Sequence, residues 1–235
     1  MMNLTVKCSL IVLFLTIFYG CTKEQNKYSC DPQTNHWAEV NKSVFQTATR
    51  QQIATLPLDL SLAAYRTLDP QVRYDLWLEK LDIVYQQWDK PVQDMIDDLR
   101  TQLEVSWFDY TLNERDDEYL NKWENEMLTE WMDSVNYAFC FYMLSTEEEF
   151  EKKNYYPEQV DISWVNIPKE LLSKDVPGGG SNSPLRCNCE WQATCVPDMS
   201  CSNSHCEQQP SGCKLLYLYP CTRMCELISG SETQR

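Results

Sequence analysis

Eight cysteines crowd the stretch from Leu185 to Cys225, at Cys187, Cys189, Cys195, Cys201, Cys206, Cys213, Cys221 and Cys225. A unit this small cannot bury enough apolar surface to fold unaided, so these residues must staple or ligate it. Structural zinc sites bring their thiolates in as closely spaced C-x2-C pairs. Here the gaps run C-x-C-x5-C-x5-C-x4-C-x6-C-x7-C-x3-C, without one such pair. The spacing points to a disulfide framework, with no metal and no other cofactor, provided the chain leaves the reducing cytoplasm. The pairing stays open, because eight cysteines allow about a hundred connectivities.

The N-terminus supplies that exit. Lys7 precedes and adjoins an apolar run, "CSLIVLFLTIF", at residues 8 to 18. The run is too short to span a bilayer and fits the apolar region of a signal peptide. "FYGC" then replaces the usual A-x-A cleavage site and resembles the relaxed lipobox of bacterial lipoproteins, in which the cysteine is diacylated and becomes the first residue. Residues 1–20 are therefore read as a signal peptide, Cys21 as the lipidation site and residues 21–30 as a tether. A plain secretory signal is the alternative. Acylation at one residue by more than one chain gives firm anchoring. The expected location is the bacterial cell envelope, on the outer membrane, with the membrane as a partner through the N-terminal lipid.

Of the 12 cysteines, Cys8 leaves with the signal and Cys21 takes lipid. Ten remain, an even number, which makes Cys30 and Cys140 a candidate extra disulfide. Cys140 lies in the apolar run "VNYAFCFYML" and reads equally well as a buried thiol.

Between Cys21 and the "VPGGGSNSP" segment the signals are helical. "LDPQVRYDLWLEKLDIVYQQW" opens with Asp69 as N-cap and Pro70 in the first turn. Val72, Leu76, Leu81, Val84, Tyr85 and Trp88 then form one apolar stripe. "DKPVQDMIDDLRTQLEVSWF" restarts the pattern at Pro91, with Val92, Ile96, Leu99 and Leu103 inward. "NERDDEYLNKWENEMLTEWMDSVNYAFCFYML" continues it with Tyr119, Trp123, Met127, Trp131 and Val135. One helix is expected over "HWAEVNKSVFQTATRQQIATL" and a short one over "PLDLSLAAYRTL". Ser145 and Glu148 have capping-box spacing. The fold expected is mainly α: a compact helical domain of five or six helices over 31–175, a Gly/Ser/Pro linker over 176–186, a small disulfide-rich module with a short β-hairpin over 187–225, and a tail over 226–235.

Residues 22 to 186 carry 30 acidic against 16 basic side chains, a net of −14 that nearly equals the −15 of the whole chain. Such a surface repels phosphate backbones, so nucleic acid is excluded as a partner. The acidic runs Asp97/Asp98, Asp116 to Glu118 and Glu147 to Glu149 read as solvated helix faces, because catalytic carboxylates need environments that push their pKa values apart. Trp77, Trp88, Trp107, Trp123 and Trp131 read as core packing before they read as a ligand-binding stripe. The two histidines, His36 and His205, join no recognisable nucleophile motif, and no catalytic residue is assigned.

In the tail, Leu215 to Tyr219 is a β-prone apolar run, expected as one strand of the hairpin. With Trp191, the residues Leu215, Leu216, Tyr217, Leu218 and Tyr219 are the candidate contact surface, for a partner or a membrane, but the run reads first as packing on the helical domain.

"CNC" at 187–189, then Cys195, Cys201, Cys206, "SGC" at 211–213, the apolar aromatic run and Cys221 resemble the pattern of the bacteriocin fulvocin C-related family. "YRTLDPQVRYDLWLEKL" resembles a helix-opening segment of the same proteins. The closing Cys221-x3-Cys225 departs from the pattern, where the peptide has a closer pair. The resemblance implies an exported, non-enzymatic lipoprotein whose Cys-rich module antagonises other bacteria through a protein or membrane target. The alternatives are a non-toxic structural or binding lipoprotein of the envelope, and a metal-binding or thiol-redox protein.

Overall fold

The computed structural model describes residues 27–172, 199–202, 209–221 and 224–227. The expected signal peptide, Cys21 and the expected linker over 176–186 lie outside the described residues.

The described chain is mainly helical, and each helix begins where the sequence supplies a cap or a proline. In α1 (Pro32–Phe45) the Asp31 side chain accepts from the Thr34 N–H and Pro32 occupies the first turn. Thr49 and Gln52 close a capping box on α2 (Arg50–Thr55). Pro57 precedes α3 (Leu58–Thr67), Pro70 opens α4 (Pro70–Gln87), and Pro91 sits in the first turn of α5 (Lys90–Gln102). Asp69 holds the N-cap position of α4, but its side chain makes no capping hydrogen bond. A 3-10 turn at Val105–Asp109 ends at Tyr110, whose φ is 59°. Asn113 caps α6 (Glu114–Glu126), and the acidic residues of its first turn face the positive end of the helix dipole.

The remaining helices are short: α7 (Ser134–Tyr137), α8 (Glu147–Tyr155) and α9 (Lys169–Leu172). Nine helices are thus found among the described residues, more than the five or six expected. Two expected helices divide. The one over 36–56 breaks between Phe45 and Arg50, where Thr49 starts a new cap. The one over 113–144 runs into a π turn at Met127–Trp131, stops at the extended Met132, and restarts on the Asp133 cap. The π turn shifts the phase of the apolar stripe, which leaves Trp131 and Val135 exposed, not inward. The capping box of α8 is Thr146 with Glu149, one residue beyond the Ser145–Glu148 expectation.

One continuous core joins these helices, with Phe45, Ile53, Tyr65, Trp77, Leu81, Ile96, Leu99, Phe108, Tyr137 and Phe141 fully buried. No described helix is long and apolar enough to cross a membrane.

The C-terminal strands nest. β1 (Met199–Ser202) pairs antiparallel with β4 (Met224–Leu227), placing Cys201 opposite Cys225. Inside them β2 (Gln209–Cys213) pairs with β3 (Tyr219–Cys221), with an irregular register near Gly212. A hairpin is therefore present as expected, but Leu215–Tyr217 forms its 3-10 loop and not a strand. Lys214, Leu216 and Tyr217 all have positive φ, a conformation that tightens the loop and is incompatible with an extended strand.

Candidate functional site

The hairpin loop is buried in the helical core. Leu215 and Leu216 are fully inaccessible, and Tyr217 and Leu218 nearly so. The Tyr217 ring stands edge-on to Tyr65 of α3 at 5.1 Å and to Trp77 of α4 at 5.3 Å between centroids. The Tyr219 hydroxyl donates to Asp117 of α6 at 2.8 Å. Leu215, Leu216, Tyr217 and Leu218 are therefore packed on the helical domain and do not form the candidate contact surface. Apolar side chains of this size gain more from the helical interior than from display to water. Trp191 lies outside the described residues.

Cys213 and Cys221 form a buried disulfide at the base of the loop. Gly212, at φ 102°, lets the backbone approach Leu62 and the Arg66 guanidinium of α3; a Cβ there would stand 3.3 Å from Leu62. Arg66 in turn donates to the Tyr28 carbonyl at 2.9 Å, linking the N-terminal segment to the same junction. Cys140 is a free, buried thiol, so Cys30 and Cys140 do not pair; apolar packing in the 138–142 π turn encloses it. Cys30 is disulfide-bonded, and its partner is none of Cys140, Cys213 and Cys221. Cys21, Cys187, Cys189, Cys195, Cys206 and His205 lie outside the described residues. His36 is exposed on α1.

On another face, buried charged groups from several helices underlie a cleft of about 840 Å³. Arg50, the first residue of α2, is 3 % exposed. It donates from Nη1 and Nη2 to the two carboxylate oxygens of Glu149, each at 2.7 Å, and from Nη1 to the Leu144 carbonyl at 2.8 Å. Its Nε donates to Glu79 at 3.2 Å. Burial alone would raise the Glu149 pKa, but hydrogen bonds from Arg50 and the Thr146 N–H, with the Arg50 charge, hold it below the usual value. Lys80 of α4 donates to the Ser145 carbonyl at 2.8 Å. Burial, the dominant cause, brings its pKa down to about 8, with the nearby Cys140 opposing and Arg50 adding to the fall.

Cys140 borders the same cleft. Burial pushes its thiol up, against the Lys80 charge and a hydrogen bond with the Trp88 side chain. A protonated buried thiol is a poor nucleophile. The walls of the cleft are the half-buried rings of Trp88, Phe139 and Trp164, and its mouth carries Gln51, Gln87 and Gln159. Among the described residues, no cluster of three or more His, Cys, Asp or Glu side chains could hold a metal ion. A rigid charged floor beneath aromatic walls and an amide rim is suited to recognition.

Sequence reading alone missed this site. Glu149 belongs to an acidic run that looks solvated, and Arg50 and Lys80 carry no motif. The one local signal was the Thr146–Glu149 spacing, which marks a carboxylate held in place by a helix start.

No family model, curated protein or solved structure matches this chain.

Proposed function

We propose that the protein is an exported bacterial lipoprotein, anchored on the envelope through Cys21 (on the outer membrane), and that its work is binding, not catalysis. One observation carries this reading. The apolar segment that a displayed antagonistic knob would offer to another cell, Leu215 to Leu218, is spent inside the helical core. The hairpin loop at Leu215 to Leu218 is then a structural part of the body, and the cleft between α2, α4 and α8 is the recognition surface. The resemblance to fulvocin C-related proteins supports export and the disulfide framework. The antagonism it implies has no exposed apolar segment among residues 212–221 to act through.

The test uses the mature chain as Cys21→Ser, so that lipid does not drive the result. This protein should sediment saturably with purified bacterial cell envelopes and leave growth unaffected across a panel of strains. Absence of saturable sedimentation would overturn the binding reading. Growth inhibition would restore antagonism.

A further inference from the structure

We infer that the cleft takes a neutral oligosaccharide, an inference that rests on the binding function proposed above. The lining selects against anionic and purely apolar ligands. Its cations are committed: Arg50 to Glu149 and Glu79, Lys152 to Glu148 at 3.3 Å, and the buried Lys80 to the Ser145 carbonyl. An anion would find no guanidinium or ammonium ready for it, and would approach a chain of net charge −15. The carboxylates Glu148 and Glu149 are paired in the same ion pairs, and Asp161 accepts from both the N–H and the hydroxyl of Ser163. Glu147 lines the cleft exposed and outside these pairs, so a cationic sugar is the competing ligand that the test must separate from a neutral one. A purely apolar ligand would strand the amides of the mouth without water or partner.

What remains suits a sugar. Trp88, Phe139 and Trp164 supply aromatic surface of the kind that the C–H side of a pyranose ring packs against. The amides of Gln51, Gln87 and Gln159 make no hydrogen bond among the described residues, and each both donates and accepts, as a row of hydroxyls requires. The Trp164 indole N–H is buried without an acceptor. A donor left unmet carries a penalty that an arriving hydroxyl oxygen relieves when the ring turns toward it. Phe139 stands edge-on to Phe150 at 5.5 Å, so one wall is set before the ligand arrives. The volume of about 840 Å³ accommodates several sugar rings and lies near the upper end for ligand clefts.

The experiment titrates the full mature chain with maltohexaose, cellohexaose and chitohexaose, following intrinsic tryptophan fluorescence and calorimetry. Oligogalacturonate and a chitosan hexamer serve as anionic and cationic probes. At least one neutral hexasaccharide should bind saturably with a Kd of about 1 mM or tighter. Trp88→Ala and Trp164→Ala should each weaken it by about tenfold or more, while Trp131→Ala, outside the cleft, should not. Thermal unfolding of each variant establishes that the fold survives. A Trp164→Phe variant keeps the ring and removes the N–H, and should bind with intermediate affinity.

No binding of any neutral probe would overturn the inference, as would tighter binding of a charged probe or equal binding by Trp88→Ala and Trp164→Ala. If envelope sedimentation persists while the neutral sugars fail, only the sugar assignment falls. If sedimentation is also absent, the binding function falls with it.

Discussion

Tyr217 of the C-terminal hairpin stands perpendicular to Trp77 of α4, with centroids 5.3 Å apart and an interplanar angle of 89°. Edge-to-face pairs of this kind contribute beyond the area they bury. Tyr217→Ala removes that pair and the contact with Tyr65, and should destabilise the whole helical fold by about 3–4 kcal/mol. Chemical denaturation followed by helical circular dichroism measures it. A loss confined to the hairpin, with the helical transition unmoved, would contradict the shared core.

The Cys213–Cys221 disulfide closes a short loop whose conformation the core also holds. Replacing both by serine should cost about 2.5 kcal/mol on the loop-entropy estimate. Because both residues are buried, a mild reductant should open the bond no faster than the protein unfolds. Mass spectrometry after timed reduction and alkylation reads this directly.

Thiol counting offers a separate check. Ten cysteines follow Cys21, and a free Cys140 leaves nine, which cannot all pair among themselves. With Cys21 lipidated as proposed, the protein denatured without reductant should alkylate at Cys140 and at one further cysteine. A single alkylated thiol would mean that Cys21 is itself disulfide-bonded and carries no lipid. Incorporation of a palmitate label, lost in Cys21→Ser, is the complementary measurement.

The Arg50–Glu149 pair predicts an acid limb of stability. Glu149 is held below its ordinary value of 4.5. Its contribution is therefore complete above about pH 4.5 and is lost as pH falls through the lower folded value. Glu149→Gln should cost about 3 kcal/mol at neutral pH, because it leaves Arg50 buried with half of its charge partner gone. The same variant should flatten the acid limb in urea titrations.

Lys80 acts in the alkaline direction. Between its folded value of about 8 and its ordinary 10.5, the unfolded chain holds the proton and the native chain does not. Stability should therefore rise with pH from about 8. Cys140, held above 9.0, opposes this, as do the buried tyrosines above 10.0. The rise should be visible in a Cys140→Ser background up to about pH 10 and absent when Lys80→Met is added.

Much of the helical body was legible in the sequence, because its starts are written locally. Pro70 and Pro91 mark first turns wherever they occur, and the stripe from Val92 to Leu103 follows one helical period. The break at Met132 was not legible, since the apolar spacing runs straight through it and only Asp133, as a cap, betrays the new start. The cleft was hidden for a different reason: Arg50 and Glu149 are 99 residues apart, and nothing local distinguishes them from surface charges. The run at Leu215–Leu218 carried a true signal of burial. Its partners, Tyr65 and Trp77, lie far upstream, so sequence alone could not separate a displayed face from a buried plug.

The shared core is tested most directly by ending the chain at Asp175 and comparing its thermal unfolding with that of the full mature protein. Without the hairpin, Tyr65 and Trp77 lose the Tyr217 ring that packs against them. The truncated chain should lose its cooperative transition and bind a dye for exposed apolar surface. A sharp transition at an unchanged Tm would contradict the shared core and make residues 31–175 an independent domain.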